Sequence, residues 1–288
     1  MRLLIGFDGS APARAAAEEV LRFPWPPGLR VRALVALGGI EGPAAMRAVL
    51  QDALRGHAAW IEERLRERWP TARTTLSGEA PAEALLAECR RTRPDLVVLG
   101  WRGHGPIRRL LMGSVSRRVA REARTAVMVV RGARDRAAAA KRFVLGYDGS
   151  HNARRALRFL AKLAPSAGSR VLVVTSLPPL YSPPLSPMPQ GARRQLLAQI
   201  ARAERAREKR SRAQLERAAA VLRRRGWSVE TRLAPQAPLH SLLDAASALD
   251  ADALVVGARG VSGLDRLLLG SVAGGALERS RCPVIVAR

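Results

Sequence analysis

The strongest constraint on this chain's architecture is that it repeats itself. Phe7-Asp8-Gly9-Ser10 returns as Tyr147-Asp148-Gly149-Ser150, 140 residues later. Gly100-Trp101-Arg102-Gly103 returns as Gly257-Ala258-Arg259-Gly260, and Leu110-Leu111-Met112-Gly113-Ser114-Val115 as Leu267-Leu268-Leu269-Gly270-Ser271-Val272, both after 157 residues. Such self-similarity marks a duplicated unit. The spacing grows by 17 residues between the landmarks, so the second copy carries an insertion, expected in the Pro-rich stretch Pro178 to Pro189. At about 150 residues per domain, 288 residues suit two domains with a core each. The expected bounds are 1–132 and 141–288, joined near Gly132 to Ala140. The opening segment MRLLIGFDGS has the look of a short signal sequence, but its recurrence in mid-chain makes it part of the fold.

Each copy alternates short apolar runs with helical patterns. In the first, the strand-like runs are Arg2 to Phe7, Leu29 to Leu37, Arg73 to Ser77, Leu96 to Leu99 and Ala126 to Val130. In the second they are Phe143 to Tyr147, Arg170 to Leu177, Ser228 to Leu233, Ala253 to Val256 and Val284 to Ala287. Between them, Met46, Val49, Leu50, Ala53, Trp60, Ile61 and Leu65 are spaced at three and four, one face of a helix. Continuous apolar strands separated by helices predict an α/β fold: two tandem doubly wound units, each a five-stranded parallel sheet with helices on both faces. The order is expected to be 3-2-1-4-5, not from the apolar pattern but because that order puts the repeated features after the first and fourth strands side by side.

In open α/β sheets a ligand lies at the carboxyl ends of the strands, where the strand order reverses. Asp8 and Asp148 follow the first strand of each copy, and Gly100 and Gly257 follow the fourth. Gly100 and Gly103 are expected to permit backbone angles closed to other residues and to let amides approach an anion. Gly113, Ser114 and Val115 then open a helix, as do Gly270, Ser271 and Val272 in the second copy. A helix start leaves amide donors unpaired and partly positive, which suits phosphate. Ser114 would either cap that helix or donate to a phosphate oxygen. The plainer alternative is that these glycines make tight turns and both serines cap. Asp8 and Asp148 carry two compatible readings, a turn residue and an acceptor for a sugar hydroxyl or base amine.

Gly-x-x-Gly, nine residues, then Gly-Ser occurs twice, as Gly100, Gly103, Gly113-Ser114 and as Gly257, Gly260, Gly270-Ser271. With the early Asp-Gly-Ser and a closing Val-rich strand, this pattern resembles the ATP-binding branch of the universal stress protein family over essentially the whole chain. The resemblance implies an ATP site in each copy, with or without Mg, Asp8 or Asp148 lying near the adenine. It also implies phosphate and ribose contacts from Gly100, Arg102, Gly103, Gly113, Ser114 and Val115. In the second copy these are Gly257, Arg259, Gly260, Gly270, Ser271 and Val272. Family members commonly dimerise through the last strand, which implies pairing of Ala126 to Val130 with Val284 to Ala287 within one chain, or a homodimer. Departures fall mostly in the first copy: Trp101 is bulky where a small or polar residue is usual, and His104 is matched by Val261. Ala36 and Ser176 replace the Val usual beside the adenine. The second copy follows the pattern more closely, so its site is the better candidate.

Other chemistries lack their residues. No GxxxxGK[ST] loop is present, nor the SGGxDS-type loop of related ATP pyrophosphatases. The four histidines, His57, His104, His151 and His240, form no metal or hydrolase cluster in sequence. Neither copy repeats an acid or base that would activate water, so binding with slow or no hydrolysis is expected, a slow ATPase being the alternative. Cys89 and Cys282 make no disulfide framework, and the apolar runs are too short to span a membrane; a reduced, cytoplasmic location is expected.

The formal charge of +25 rests on 49 basic residues of which only Lys141, Lys162 and Lys209 are lysine. Arginine-filled, solvated helix faces from compositional bias are the first explanation, with a polyanion partner as the alternative. The segment Arg193 to Arg225 holds twelve of these cations against Glu204, Glu208 and Glu216, with an apolar stripe through Leu196, Ile200, Leu215 and Leu222. It is expected to be one long amphipathic helix, packed with an oversized solvated face, the alternative being a basic arm for nucleic acid, acidic lipid or an acidic partner protein.

Overall fold

Runs of Val, Ile and Leu become strands here because branched side chains pack well on a pleated surface covered on both sides. The computed structural model describes residues 1–38, 43–101, 112–132, 140–180, 188–260 and 269–288. The first repeat runs β1 (Arg2–Gly6), α1 (Ala11–Arg22), β2 (Arg30–Ala36), α2 (Ala44–Arg66), β3 (Arg73–Ser77), α3 (Pro81–Thr92), β4 (Leu96–Gly100), α4 (Ser114–Glu122) and β5 (Ala126–Val130). The second runs β6 (Arg142–Gly146), α5 (His151–Leu160), β7 (Arg170–Ser176), α6 (Gln190–Arg223), β8 (Ser228–Ala234), α7 (Pro238–Ala248), β9 (Ala253–Gly257), α8 (Ser271–Arg279) and β10 (Val284–Ala287). All ten expected strands form, each end within one residue of its expected place.

The strand order is β3-β2-β1-β4-β5-β10-β9-β6-β7-β8, so each repeat has the expected 3-2-1-4-5 arrangement. Pairing is parallel within each repeat. At the centre β10 runs antiparallel to β5, with Ile285 opposite Met128, and one ten-stranded sheet results. Helices α1, α2, α5 and α6 bury residues such as Val20, Ile61, Leu160 and Leu215 against one face. Helices α3, α4, α7 and α8 cover the other with Leu85, Val119, Leu242 and Leu277.

Aromatic rings continue the first of these layers across the seam. Phe143 meets Phe23 edge-on at 5.4 Å and Trp227 edge-on at 5.4 Å, while Phe23 also touches Trp25 at 4.6 Å. The outer ends of the seam are fastened by a reciprocal pair of arginines. Arg131, just past β5, donates to the carbonyl of Glu278 near the end of α8. Arg288, just past β10, donates to the carbonyls of Ala120 and Arg121 near the end of α4. A cation at a helix carboxyl end satisfies leftover carbonyls and opposes the negative end of the helix dipole. Lys162 adds an ion pair to Asp95 across the seam at 3.1 Å.

The insertion is only partly where the sequence pointed. The β2–α2 link has seven residues and the β7–α6 link thirteen, while α2 has 23 and α6 has 34, so six extra residues fall in the Pro-rich link and eleven lengthen the helix. The long helices also outrun their sheet. A helix of 34 residues is about 51 Å long, whereas a seven-residue strand covers about 23 Å. Consequently α6 buries only Leu215, Ala218, Ala219 and Leu222, and α2 only Ala58, Ile61 and Leu65. Met46, Val49 and Leu50, expected on the packed face of α2, are exposed because no strand lies beneath them.

Both cysteines are buried. Burial, with the adjacent Glu88 charge, pushes the Cys89 thiol up to about 11. Only the thiolate is a good nucleophile, so at pH 8 iodoacetamide should spare Cys89 in the folded protein and label it once denaturant is added. Rapid labelling of the native protein, read by mass spectrometry, would contradict this.

Candidate functional site

The switch point of each repeat lies where its first and fourth strands are neighbours, β1 beside β4 and β6 beside β9. In the second repeat the chain leaves β6 through Tyr147 into a tight Asp-Gly-Ser turn, with Gly149 at φ +74°. The Asp148 carboxylate accepts from the Ser150 amide at 2.9 Å. Ser150 caps α5, its hydroxyl oxygen accepting from the Ala153 amide at 3.1 Å. The same hydroxyl donates to the Arg259 carbonyl at 3.4 Å, tying the β6 turn to the loop after β9. Replacing an N-cap serine costs about 1 kcal/mol. Ser150→Ala should show that loss in a urea titration; an unchanged midpoint would deny the cap.

The loop after β9 is drawn in at both ends. The Ala258 amide donates to the Ala287 carbonyl at 2.8 Å, and the Gly270 amide donates back to the Ala258 carbonyl at 2.8 Å. A Cβ on Gly260 would fall 2.8 Å from Asp148 Oδ2, so the carboxylate and the glycine loop share one crevice. A Cβ on Gly270 would meet the Ala258 carbonyl and Arg259 Cα at 3.2 Å. Helix α8 begins immediately afterwards with Gly270 at the cap position. Asp148, Arg259, Gly260, Gly270, Ser271 and Val272 are thereby brought together at the carboxyl ends of β6 and β9.

The first repeat builds the same frame. Asp8 accepts from the Ser10 amide at 3.0 Å, and Ser10 caps α1 by accepting from Ala13 at 3.3 Å. The Gly113 amide donates to the Trp101 carbonyl at 2.9 Å, and the Trp101 amide to the Val130 carbonyl at 2.6 Å. Asp8, Gly100, Gly113, Ser114 and Val115 are placed around this crevice; Arg102, Gly103 and His104 lie outside the described residues, as does Val261 in the second repeat.

Two expectations about these residues are corrected. Among the described loop glycines, none of Gly100, Gly113, Gly257, Gly260 and Gly270 takes a positive φ; Gly9 and Gly149, in the Asp-Gly-Ser turns, do. Gly100 and Gly257 are needed for space. A Cβ on Gly100 would lie 2.6 Å from the Pro12 carbonyl carbon, and one on Gly257 2.7 Å from that of Asn152. The glycine ends of β4 and β9 thus let α1 and α5 pack tightly. Nor do the serines cap: Gly113 and Gly270 hold the cap positions, and Ser114 and Ser271 are exposed in the first turn of α4 and α8.

Trp101 does not obstruct the first site. Its ring is buried in the seam, where Nε1 donates to the Leu277 carbonyl at 3.2 Å and the Arg131 guanidinium lies 4.0 Å above the ring. Cation–π stacking and a satisfied indole N–H account for so large a residue at this position. Its counterpart Ala258 leaves the other side of the seam without such an anchor.

The sequence missed the residues that roof the Asp-Gly-Ser turns. His57 of α2 lies over Gly9, so that a Cβ there would fall within its ring, and Gln214 of α6 lies over Gly149 in the same way. These two positions are 157 apart, the period of the later landmarks, and that equivalence was the available signal. Trp60 stacks on Phe7 at 5.5 Å, with Arg14 4.3 Å above its ring and donating Nε to the Gly9 carbonyl. In the second repeat Trp60 is replaced by Arg217, which with Arg154 acts on Tyr147; burial raises that phenol and the two cations oppose the rise. The second turn thus has a cation where the first has the Trp60 ring, and Arg259 and Arg288 lie within electrostatic reach of each other.

Against known families, the sequence profile described as "Universal stress protein family" matches residues 1–131 and again 139–288. The chain belongs to the universal stress protein family. A universal stress protein of Thermus aquaticus is 31% identical over 149 residues, 51% of this chain and 98% of that one. One from Bacillus subtilis is 38% identical over 74 residues, 26% of this chain and 50% of that one, so the chain spans half of that relative's length. Among solved structures, a universal stress protein from Archaeoglobus fulgidus matches with TM-score 0.66 and 16% identity, covering 100% of this chain and 98% of that one. That likeness is one of fold. Among the described residues no helix is long and apolar enough to cross a membrane.

Proposed function

We propose that this universal stress protein is an ATP-holding regulatory protein with one site per repeat, the second repeat's being the stronger. The repeats 1–132 and 141–288 act as a pair joined through their last strands within one cytoplasmic chain. The observation that carries this reading is the crevice in which the Asp148 carboxylate, the Gly260 loop and the opening turn of α8 converge. Side chains at either glycine would crowd this crevice, since a Cβ on Gly260 would meet Asp148 Oδ2 and one on Gly270 the Ala258 carbonyl and Arg259 Cα. Phosphate oxygens would accept from the first-turn amides and the Ser271 hydroxyl, with Arg259 neutralising charge. Asp148 would accept from the nucleoside.

Gly100, Gly113, Ser114, Val115 and Asp8 would serve the first repeat in the same way, with Arg102 and Gly103 completing its loop. Among the described residues no three His, Cys, Asp or Glu side chains group as metal ligands. A Mg ion would therefore arrive with the phosphates and keep most of its water. The sequence repeats no acid or base beside the glycine loops that would activate water, which favours holding ATP over turning it over.

The test is mass spectrometry of ligand released from freshly purified, denatured protein, followed by equilibrium titration of ligand-free protein with ATP. ATP or ADP at one or two equivalents is expected. No affinity below millimolar ATP would overturn the proposal, and rapid ADP release under saturating ATP would make the protein an ATPase instead.

A further inference from the structure

The duplicated helices α2 and α6 differ in one property that the fold does not require. Aligned by His57 and Gln214, the 23 residues of α2 correspond to residues 201–223 of α6. The buried positions agree, Ala58, Ile61 and Leu65 matching Leu215, Ala218 and Leu222. The charges do not. Helix α2 carries four arginines against Asp52, Glu62 and Glu63, while residues 201–223 carry eight cations against Glu204, Glu208 and Glu216. Ala45, Ala48, Asp52 and Ala53 are matched by Arg202, Arg205, Lys209 and Arg210. Compositional bias acts on both copies alike and does not explain a surplus confined to one.

These cations are also presented in a particular way. No residue of α6 before Leu215 is fully buried, so most of residues 190–213 lies outside the core. Arg202, Arg205, Lys209 and Arg212 fall at i, i+3, i+7 and i+10, one face, over about 15 Å. Arg210, Arg217 and Arg224 form a second row at intervals of seven. Arg212 pairs with Glu208 at 2.7 Å, and Arg223 with Glu216 at 3.0 Å. Among the described residues Arg202, Arg205, Lys209 and Arg210 have no ion-pair partner, and all four are exposed.

We infer that the outer face of α6 binds the phosphate backbone of double-stranded nucleic acid without regard to sequence. Three observations select this partner among polyanions. The cations are nearly all arginine, whose planar donors match phosphate oxygens in pairs. The rows from Arg202 to Arg224 run about 33 Å along a rigid helix, close to the ~34 Å of one duplex turn, so a continuous line of negative charge is needed to use them. No aromatic residue occurs between 190 and 226, where a single strand would need stacking platforms and a membrane-surface helix would need an apolar outer face. Leu196 and Ile200 are half-buried, on the side of α6 where Glu204 and Arg207 bond the backbone of Leu180 and Pro178.

The experiment is fluorescence anisotropy of the full chain with two labelled 24-base-pair duplexes of unrelated sequence, from 50 to 200 mM salt. Both should bind alike, and four phosphate contacts would lower affinity roughly 100-fold across that range, at a slope of about −0.9 per contact. The combined variant Arg202→Gln, Arg205→Gln, Lys209→Gln and Arg210→Gln should bind at least tenfold more weakly, with a visibly shallower slope and an unchanged melting temperature. Gly270→Val, which alters the ATP crevice, should leave duplex binding intact, so the two functions fail separately. Undiminished binding by the combined variant, a flat salt response, or capture by anionic vesicles but not by duplex would overturn the inference.

Discussion

Phe143→Ala should be the most damaging single substitution in the core, lowering stability by about 3–5 kcal/mol. The ring is fully buried, so truncation leaves a cavity as well as losing apolar burial. Its position adds a second effect. Phe143 touches Phe23 from the first repeat and Trp227 from the second, so it is a shared part of both cores. Guanidinium denaturation followed by tryptophan fluorescence and by far-ultraviolet circular dichroism should show an earlier transition whose two probes no longer coincide. A variant that unfolds in one coincident step at the wild-type midpoint would mean the aromatic bridge contributes little.

Gly270→Val should produce the largest functional loss, weakening ATP binding by roughly 10- to 100-fold, the worth of one or two hydrogen bonds to charged oxygens. The added Cβ would sit 3.2 Å from the Ala258 carbonyl and Arg259 Cα, crowding the loop at the start of α8. Gly260→Val supplies an independent check. That residue is exposed, yet its Cβ would collide with Asp148 Oδ2, so binding should fall while the melting temperature holds. Ser271→Ala removes one hydroxyl and should cost about 1.5 kcal/mol, or roughly tenfold. Calorimetric titration with ATP distinguishes these outcomes. Equal affinity in all three variants would place the nucleotide elsewhere.

Much of the frame was legible in the residues because strand patterning and repetition are local signals. All ten strands and the position of the Asp-Gly-Ser turns follow from apolar runs and from where they recur, while the order within each repeat was an assumption that the strand pairing bears out. What misled was also physical. Spacing at three and four marks an apolar helix face but not whether a sheet lies under it, so Met46, Val49 and Leu50 read as core and are exposed. Glycine identity signals a need without saying which. At Gly100 and Gly257 the need is room for a neighbouring helix, not an unusual backbone angle.

By itself, the sequence determined that this protein is one α/β unit written twice, with a turn and a glycine loop falling at the same strand ends in both copies. Only the tertiary structure decided how the copies join and what distinguishes them. It put Trp101 into the seam instead of the crevice, crossed Arg131 and Arg288 onto each other's helices, and set His57 and Gln214 over the two turns. The reason is that such contacts link residues 48 to 176 positions apart. Periodicity acts over a single helix or strand, whereas packing across that distance depends on how whole layers meet.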